Sequence, residues 1–68
     1  GIDPVNCIAV EDSVRGVISA KAASMWCIAV PEPINRDDRR FAVADTILDS
    51  LELMTPQWLK DFFNRLLT

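Results

Sequence analysis

The chain has 68 residues, half of them hydrophobic, with 7 Lys and Arg against 10 Asp and Glu and no histidine. A net charge of −3 argues against a nucleic-acid binder, which needs a basic face to displace counterions from phosphates. Histidine catalysis is excluded outright, two cysteines cannot build a Cys/His metal cage, and no apolar run approaches the ~20 residues of a membrane span.

Gly1-Ile2-Asp3-Pro4 has neither the basic region nor the hydrophobic core of a signal peptide. With no initiator Met, the expectation is a chain that starts inside a longer one, in the cytoplasm, with Cys7 and Cys27 reduced. Cys7-Ile8-Ala9-Val10 is a continuous apolar tetrad, the pattern of a strand covered on both faces in a parallel sheet. The same letters return at Cys27-Ile28-Ala29-Val30, closed by Pro31, which suggests two neighbouring and similarly buried strands. Between them Ser13 to Ser24 reads as a helix, with Ser13 as N-cap and Val14, Val17, Ile18, Ala22 and Met25 at helical spacing. Strand, helix and strand make a βαβ unit, with a right-handed crossover expected.

A polar loop spans Glu32 to Arg40. Phe41 to Ala44 reads either as a helical turn or as the approach to a short third strand, placed at Ala44 to Leu48. The last element is a helix: Thr55 caps it, Pro56 takes its first position, and Trp58, Leu59, Phe62, Phe63, Leu66 and Leu67 form an apolar stripe. The fold class is therefore α/β, part of a Rossmann-like parallel sheet.

Chemistry concentrates at Glu11-Asp12-Ser13, where the first strand ends and the helix begins. Ligands of open α/β sheets bind at the carboxyl ends of strands, and two carboxylates there suit a hard cation such as Mg²⁺, which takes oxygen ligands. Neighbouring side chains on an extended segment point to opposite faces, so the two acids share an ion only if the backbone turns between them. The division expected is one direct ligand, with the other acting through water or on a cation. A plainer reading also stands: Asp and Ser are ordinary helix-capping residues, and acids there favour the positive end of the helix dipole. No second acidic cluster accompanies a strand end, so Glu11-Asp12 reads as half of a site.

The stretch from Cys7 to Pro31 resembles the fourth motif of the haloacid dehalogenase-like hydrolases. The likeness is to the branch of sugar-phosphate phosphatases and β-phosphoglucomutases, nearest to the hexitol-phosphate and 2-deoxyglucose-6-phosphate phosphatases. Glu11, Asp12, Ser13, Gly16, Ala20, Ala23 and Met25 stand where that pattern wants them. The lead-in from Gly1 to Pro4 resembles the end of a preceding helix. Arg40-Phe41, Ala44-Asp45 and Ser50-Leu51 resemble the family's C-terminal stretch. The resemblance implies the C-terminal part, over residues 1–68, of a single core domain whose cap domain and N-terminal motifs lie elsewhere. It implies Asp12 as the direct Mg²⁺ ligand, Glu11 as support for the metal shell, and Gly16 as a point of close packing. Ser24 departs from the pattern, which often has Gly there; a left-handed C-cap is less comfortable without it.

The family's nucleophile and general acid/base form an Asp-x-Asp motif, and a Ser/Thr and a Lys neutralise the phosphoryl group. No Asp-x-Asp occurs in the chain, and neither Lys21 nor Lys60 matches the Lys motif. The implied function is a share in an Mg²⁺-dependent phosphatase that hydrolyses small sugar phosphates through an aspartyl-phosphate. The isolated chain is expected to be inert, with no catalytic residue of its own, no nucleic-acid or membrane partner, and a tendency to self-associate or pack with the rest of its domain. The alternatives are a non-catalytic binding module of the same descent and a phosphoglucomutase-type enzyme.

Three other features carry two readings each. Arg36, Arg39 and Arg40 form a phosphate clamp or, with Asp37 and Asp38 among them, a solvated mixed-charge loop. Cys7 and Cys27 sit as neighbours across adjacent strands, as a bridge or as small hydrophobes. Trp58, Phe62 and Phe63 present a partner surface or pack on the parent domain. Asp45 reads as a turn or capping residue.

Overall fold

The computed structural model describes residues 2–67, the side chain of Leu67 excepted. Gly1 of the expected lead-in, and the place of Leu67 in the apolar stripe, lie outside the described residues. The elements run β1 (Ile8–Glu11), α1 (Val14–Ala22), β2 (Trp26–Ala29), β3 (Thr46–Ile47) and α2 (Pro56–Leu67), joined through short 3-10 turns. The strands pair in parallel in the order β1-β2-β3, which makes the unit α/β and Rossmann-like. The lead-in from Pro4 to Asn6 is one such turn, pinned by the Trp26 indole, whose N–H donates to Val5 O at 2.8 Å.

Helix α1 begins where Ser13 Oγ accepts the Gly16 N–H at 3.0 Å. It ends in a left-handed turn at Ser24, with φ of 64°. The Ser24 N–H donates to Lys21 O and the Met25 N–H to Ala20 O, both at 3.0 Å, satisfying the last carbonyls in a Schellman motif. The serine thus occupies the conformation that glycine takes without strain.

The buried stripe of α1 is narrower than its sequence predicts. Val17 and Ala20 are buried, whereas Ile18 is 53 % exposed, Ala22 faces solvent and Met25 lies beyond the helix. A sheet of three strands covers only one side of a helix, and Ile18 sits about 100° around the axis from Val17.

Strand β2 is the centre, with Cys27, Ile28 and Ala29 wholly buried. Its alternating side chains separate two cores. Cys27 and Ala29 join Val17, Ala20 and Phe41 on the α1 side. Ile28 joins Leu48 and Phe62 on the α2 side, where Ile8, Trp58, Leu59 and Leu66 pack against it. One helix covers each face.

The two Cys-Ile-Ala-Val copies are not equivalent. Strand β1 is an edge strand, and its Val10 is 43 % exposed, where the sequence predicts cover on both faces. The register sets Ala9, and not Cys7, opposite Cys27. The copies are therefore offset by two residues, the cysteines are not cross-strand neighbours, and both are free thiols.

The third strand is shorter than the expected Ala44 to Leu48, because a 3-10 turn over Arg39–Val43 precedes it and buries Phe41. Asp45 then fastens β3 to β2. Its N–H donates to Cys27 O at 2.9 Å, and its carboxylate accepts the Cys27 N–H at 2.7 Å and the Lys21 ammonium at 2.8 Å. The sequence reads Asp45 as a turn or capping residue; it caps no described helix and instead ties the start of β3 to β2 and to Lys21. In α2, Thr55 Oγ1 accepts the Trp58 N–H at 3.1 Å, and the Trp58 and Phe62 rings stack 5.2 Å apart. Phe63 falls off the stripe and is 41 % exposed.

Candidate functional site

Parallel pairing puts the carboxyl ends of β1 and β2 on the same edge of the sheet. Glu11 closes β1 there, and Asp12 follows before Ser13 starts α1. Both acids border one open hollow of about 320 Å³, whose other walls are Val10, Val30 and Leu51. Both residues line this hollow where the chain turns from strand to helix, while the Glu11 carboxylate itself lies against Gly16 of α1.

The two acids are held differently. Asp12 is exposed, while Glu11 is half-buried. The Glu11 carboxylate lies over Gly16 in the first turn of α1. A Cβ built on Gly16 would fall 2.8 Å from Glu11 Cδ and closer still to Oε2. The close packing implied at Gly16 is therefore a specific contact with Glu11. Neither carboxylate takes a hydrogen bond from the described residues.

This donor set of hard, ionised oxygens at an open strand end fits a cation of the Mg²⁺ type, which keeps several waters and uses one or two protein carboxylates. It is not a complete cage. Among the described residues no group of three or more His, Cys, Asp or Glu is placed to hold a metal, and no basic side chain lines the hollow.

Lys21, Arg36 and Arg40 are paired away from the hollow. Lys21 is at the opposite end of the sheet, bound to Asp45 and to Met25 O at 3.0 Å and lying 5.4 Å from the centre of the Trp26 ring. The arginine cluster is a mixed-charge surface and not a clamp. Arg40 grips Asp38 through Nη2 at 2.7 Å, and Arg36 Nε approaches Asp49 at 3.7 Å. Hydrogen bonds from Arg40 pull the Asp38 carboxyl from 3.8 to about 2, and Asp38 in turn pushes the guanidinium pKa up. The Cys27 thiol is pushed up as well, first by burial and then by the Glu11 and Asp45 charges, so it stays protonated and unreactive.

Sequence reasoning missed two of these contacts. Lys21 and Asp45 are 24 residues apart, and nothing local couples them. The Glu11–Gly16 contact carried a weaker signal, a glycine in a first helical turn where Ala serves the helix better.

Over 55 residues, 81 % of its length, the chain is 51 % identical to hexitol phosphatase B of Escherichia coli (strain K12). It is 39 % identical over 64 residues to the putative phosphatase YhcW of Bacillus subtilis. It is also 37 % identical over 57 residues to a bifunctional riboflavin kinase/FMN phosphatase of Arabidopsis thaliana. The chain spans 25 % of the first protein's length, 29 % of the second's and 15 % of the third's. No family model matches it.

Proposed function

We propose, from this chain's membership of the haloacid dehalogenase-like phosphatase family, that it supplies the Glu-Asp-Ser corner of an Mg²⁺-dependent phosphatase acting on small phosphorylated sugars or polyols. One observation carries the reading: the Glu11-Asp12 pair borders a single hollow at the carboxyl edge of a parallel sheet, in a chain half identical to a hexitol phosphatase. Asp12, exposed and without a hydrogen-bond or ion-pair partner among the described residues, is the direct cation ligand. Glu11 supports the same shell from its seat on α1. Glu11 and Asp12 would hold the Mg²⁺, which would supply charge screening for phosphoryl transfer.

The chain's own part is to fix that cation. Two carboxylates in a hollow that no basic side chain lines repel a phosphate dianion, so the acids serve the cation and leave the phosphate to other groups. The aspartate that takes the phosphoryl group, and is then freed by water, is not supplied by these residues, which hold no Asp-x-Asp. By itself the 68-residue chain is inert. Its uncovered Val10, Leu51, Leu53 and Phe63 favour self-association.

The test is phosphate release by the complete protein from a panel of hexitol phosphates, hexose phosphates and FMN, with Mg²⁺ and with EDTA. The expected result is turnover of polyol or sugar phosphates that EDTA abolishes and Mg²⁺ restores. Turnover that ignores EDTA, or none on any substrate, contradicts the proposal. Activity in the purified 68-residue chain contradicts its inertness.

A further inference from the structure

We infer that Gly16 is a positioning residue for Glu11: the space its missing Cβ leaves is the seat of the Glu11 carboxylate. The inference rests on the cation reading of Glu11 and Asp12 given above. Three observations lead to it. A Cβ on Gly16 would meet Glu11 Cδ at 2.8 Å and Oε2 closer still, contacts that real Cβ atoms do not make. The obstructing atoms are the far end of a flexible side chain, so the fold accepts a methyl group there simply by turning Glu11 away. Gly16 has no positive φ, so its backbone conformation does not ask for glycine either.

The helix itself prefers the substitution. Glycine inside a helix is less favourable than alanine. The one backbone contact at the site, the Gly16 N–H to Ser13 Oγ at 3.0 Å, is available to either residue. The added methyl would also come 3.2 Å from Ser13 Oγ, which needs to give by only a few tenths of an ångström. Stability and local geometry therefore do not account for glycine at this position; the placement of the Glu11 carboxylate does. Seated against α1, Glu11 is half-buried, and its carboxylate accepts no hydrogen bond from the described residues. Its charge is held beside Asp12 at the helix N-terminus and is not free to sweep through solvent. The separate roles of the two acids follow from this: Glu11 is fixed by Gly16, and Asp12 stays free to meet the ion.

The experiment is a double-mutant cycle in the complete protein, read by calorimetric titration with Mg²⁺ and by thermal unfolding without metal. Gly16→Ala is expected to leave the unfolding midpoint unchanged or raised, and to weaken Mg²⁺ binding about tenfold, the scale on which groups that orient a ligand act. In a Glu11→Ala background the same substitution should change Mg²⁺ affinity less than twofold, because the seated group is gone. Glu11→Asp, one methylene shorter, should recover most of the affinity lost in Gly16→Ala. An affinity loss that persists in the Glu11→Ala background overturns the inference, as does Gly16→Ala binding Mg²⁺ like the wild type. A fold lost in Gly16→Ala and not restored by Glu11→Asp also overturns it. Asp12→Asn separates the two claims: if it leaves Mg²⁺ binding intact, the cation reading itself fails. If it removes binding while Gly16 and Glu11 act additively, only the seat fails.

Discussion

At Ser24 a side chain holds a left-handed backbone with φ of 64°. That conformation costs an L-residue about 1–2 kcal/mol, partly offset by the greater freedom glycine has when unfolded. Ser24→Gly should therefore stabilise the fold by about 0.5–1 kcal/mol in urea unfolding; a loss of stability would show that the Ser24 side chain contributes something beyond the turn. Asp45 is the opposite case. Its carboxylate satisfies the Cys27 N–H and the Lys21 ammonium together, and is only 21 % exposed. Asp45→Ala leaves the Cys27 amide donor without its acceptor and should cost about 1–3 kcal/mol. Lys21→Met keeps that acceptor and should cost at most about 1 kcal/mol. Equal losses would mean that the ion pair, and not the backbone hydrogen bond, carries the contact. Asp38 gives a pH signature. Arg40 lowers its folded-state pKa from 3.8 to about 2, so the contact adds stability above pH 4 and loses it as pH falls through about 2. A carboxyl titration followed by NMR should find that midpoint, and Arg40→Ala should return it to the ordinary range. At this scale the sequence was most informative where causes are local. Ser13 and Thr55 were readable as caps because each acts within three residues. Lys21 with Asp45 and Glu11 with Gly16 were not, since chain folding alone brings those partners together.

Among the elements, α2 owes its place to the face it buries. Phe62 is 4 % exposed and packs with Ile28 and Leu48, while the N-terminal turn is capped by Thr55. Phe62→Ala should cost about 3–5 kcal/mol, a large share of what a chain this size has available, and should release α2 from the sheet. Far-UV circular dichroism and urea unfolding would register that loss; a loss under 1 kcal/mol would mean that α2 is held elsewhere. Both α-helices and two of the strands were legible from periodicity, because a buried stripe and a continuous apolar run have distinct signatures. The edge position of β1 was not. Its letters match those of β2, and only the pairing partners decide which copy is central. Strand β3, only Thr46–Ile47, is too short for a period, and its position is set by Asp45 and by the Phe41 turn before it.

The whole molecule has a radius of gyration of 11.8 Å, near the ~11 Å of a compact chain of this length. Its accessible surface, 4891 Å², exceeds the ~4300 Å² of a compact monomer of its mass. Part of that surface is apolar, with Val10, Leu51 and Leu53 close to or beside the candidate site's edge of the sheet. No helix among the described residues is long and apolar enough to cross a membrane. The candidate site was half legible. Glu11-Asp12 is legible because two acids close an apolar run, and both residues line one hollow. Which acid stands free depended on a contact across α1 that no spacing encodes. We propose that Asp12 holds the cation on which phosphate hydrolysis depends. This is tested most directly by Mg²⁺ titration of hexitol-phosphate hydrolysis in the complete protein, wild type against Asp12→Asn. Asp12 is exposed and has no partner among the described residues, so the substitution should move stability by no more than about 0.5 kcal/mol. Mg²⁺-dependent turnover should nonetheless fall about 100-fold or more. Turnover and Mg²⁺ dependence that both survive Asp12→Asn in a folded protein would contradict the account.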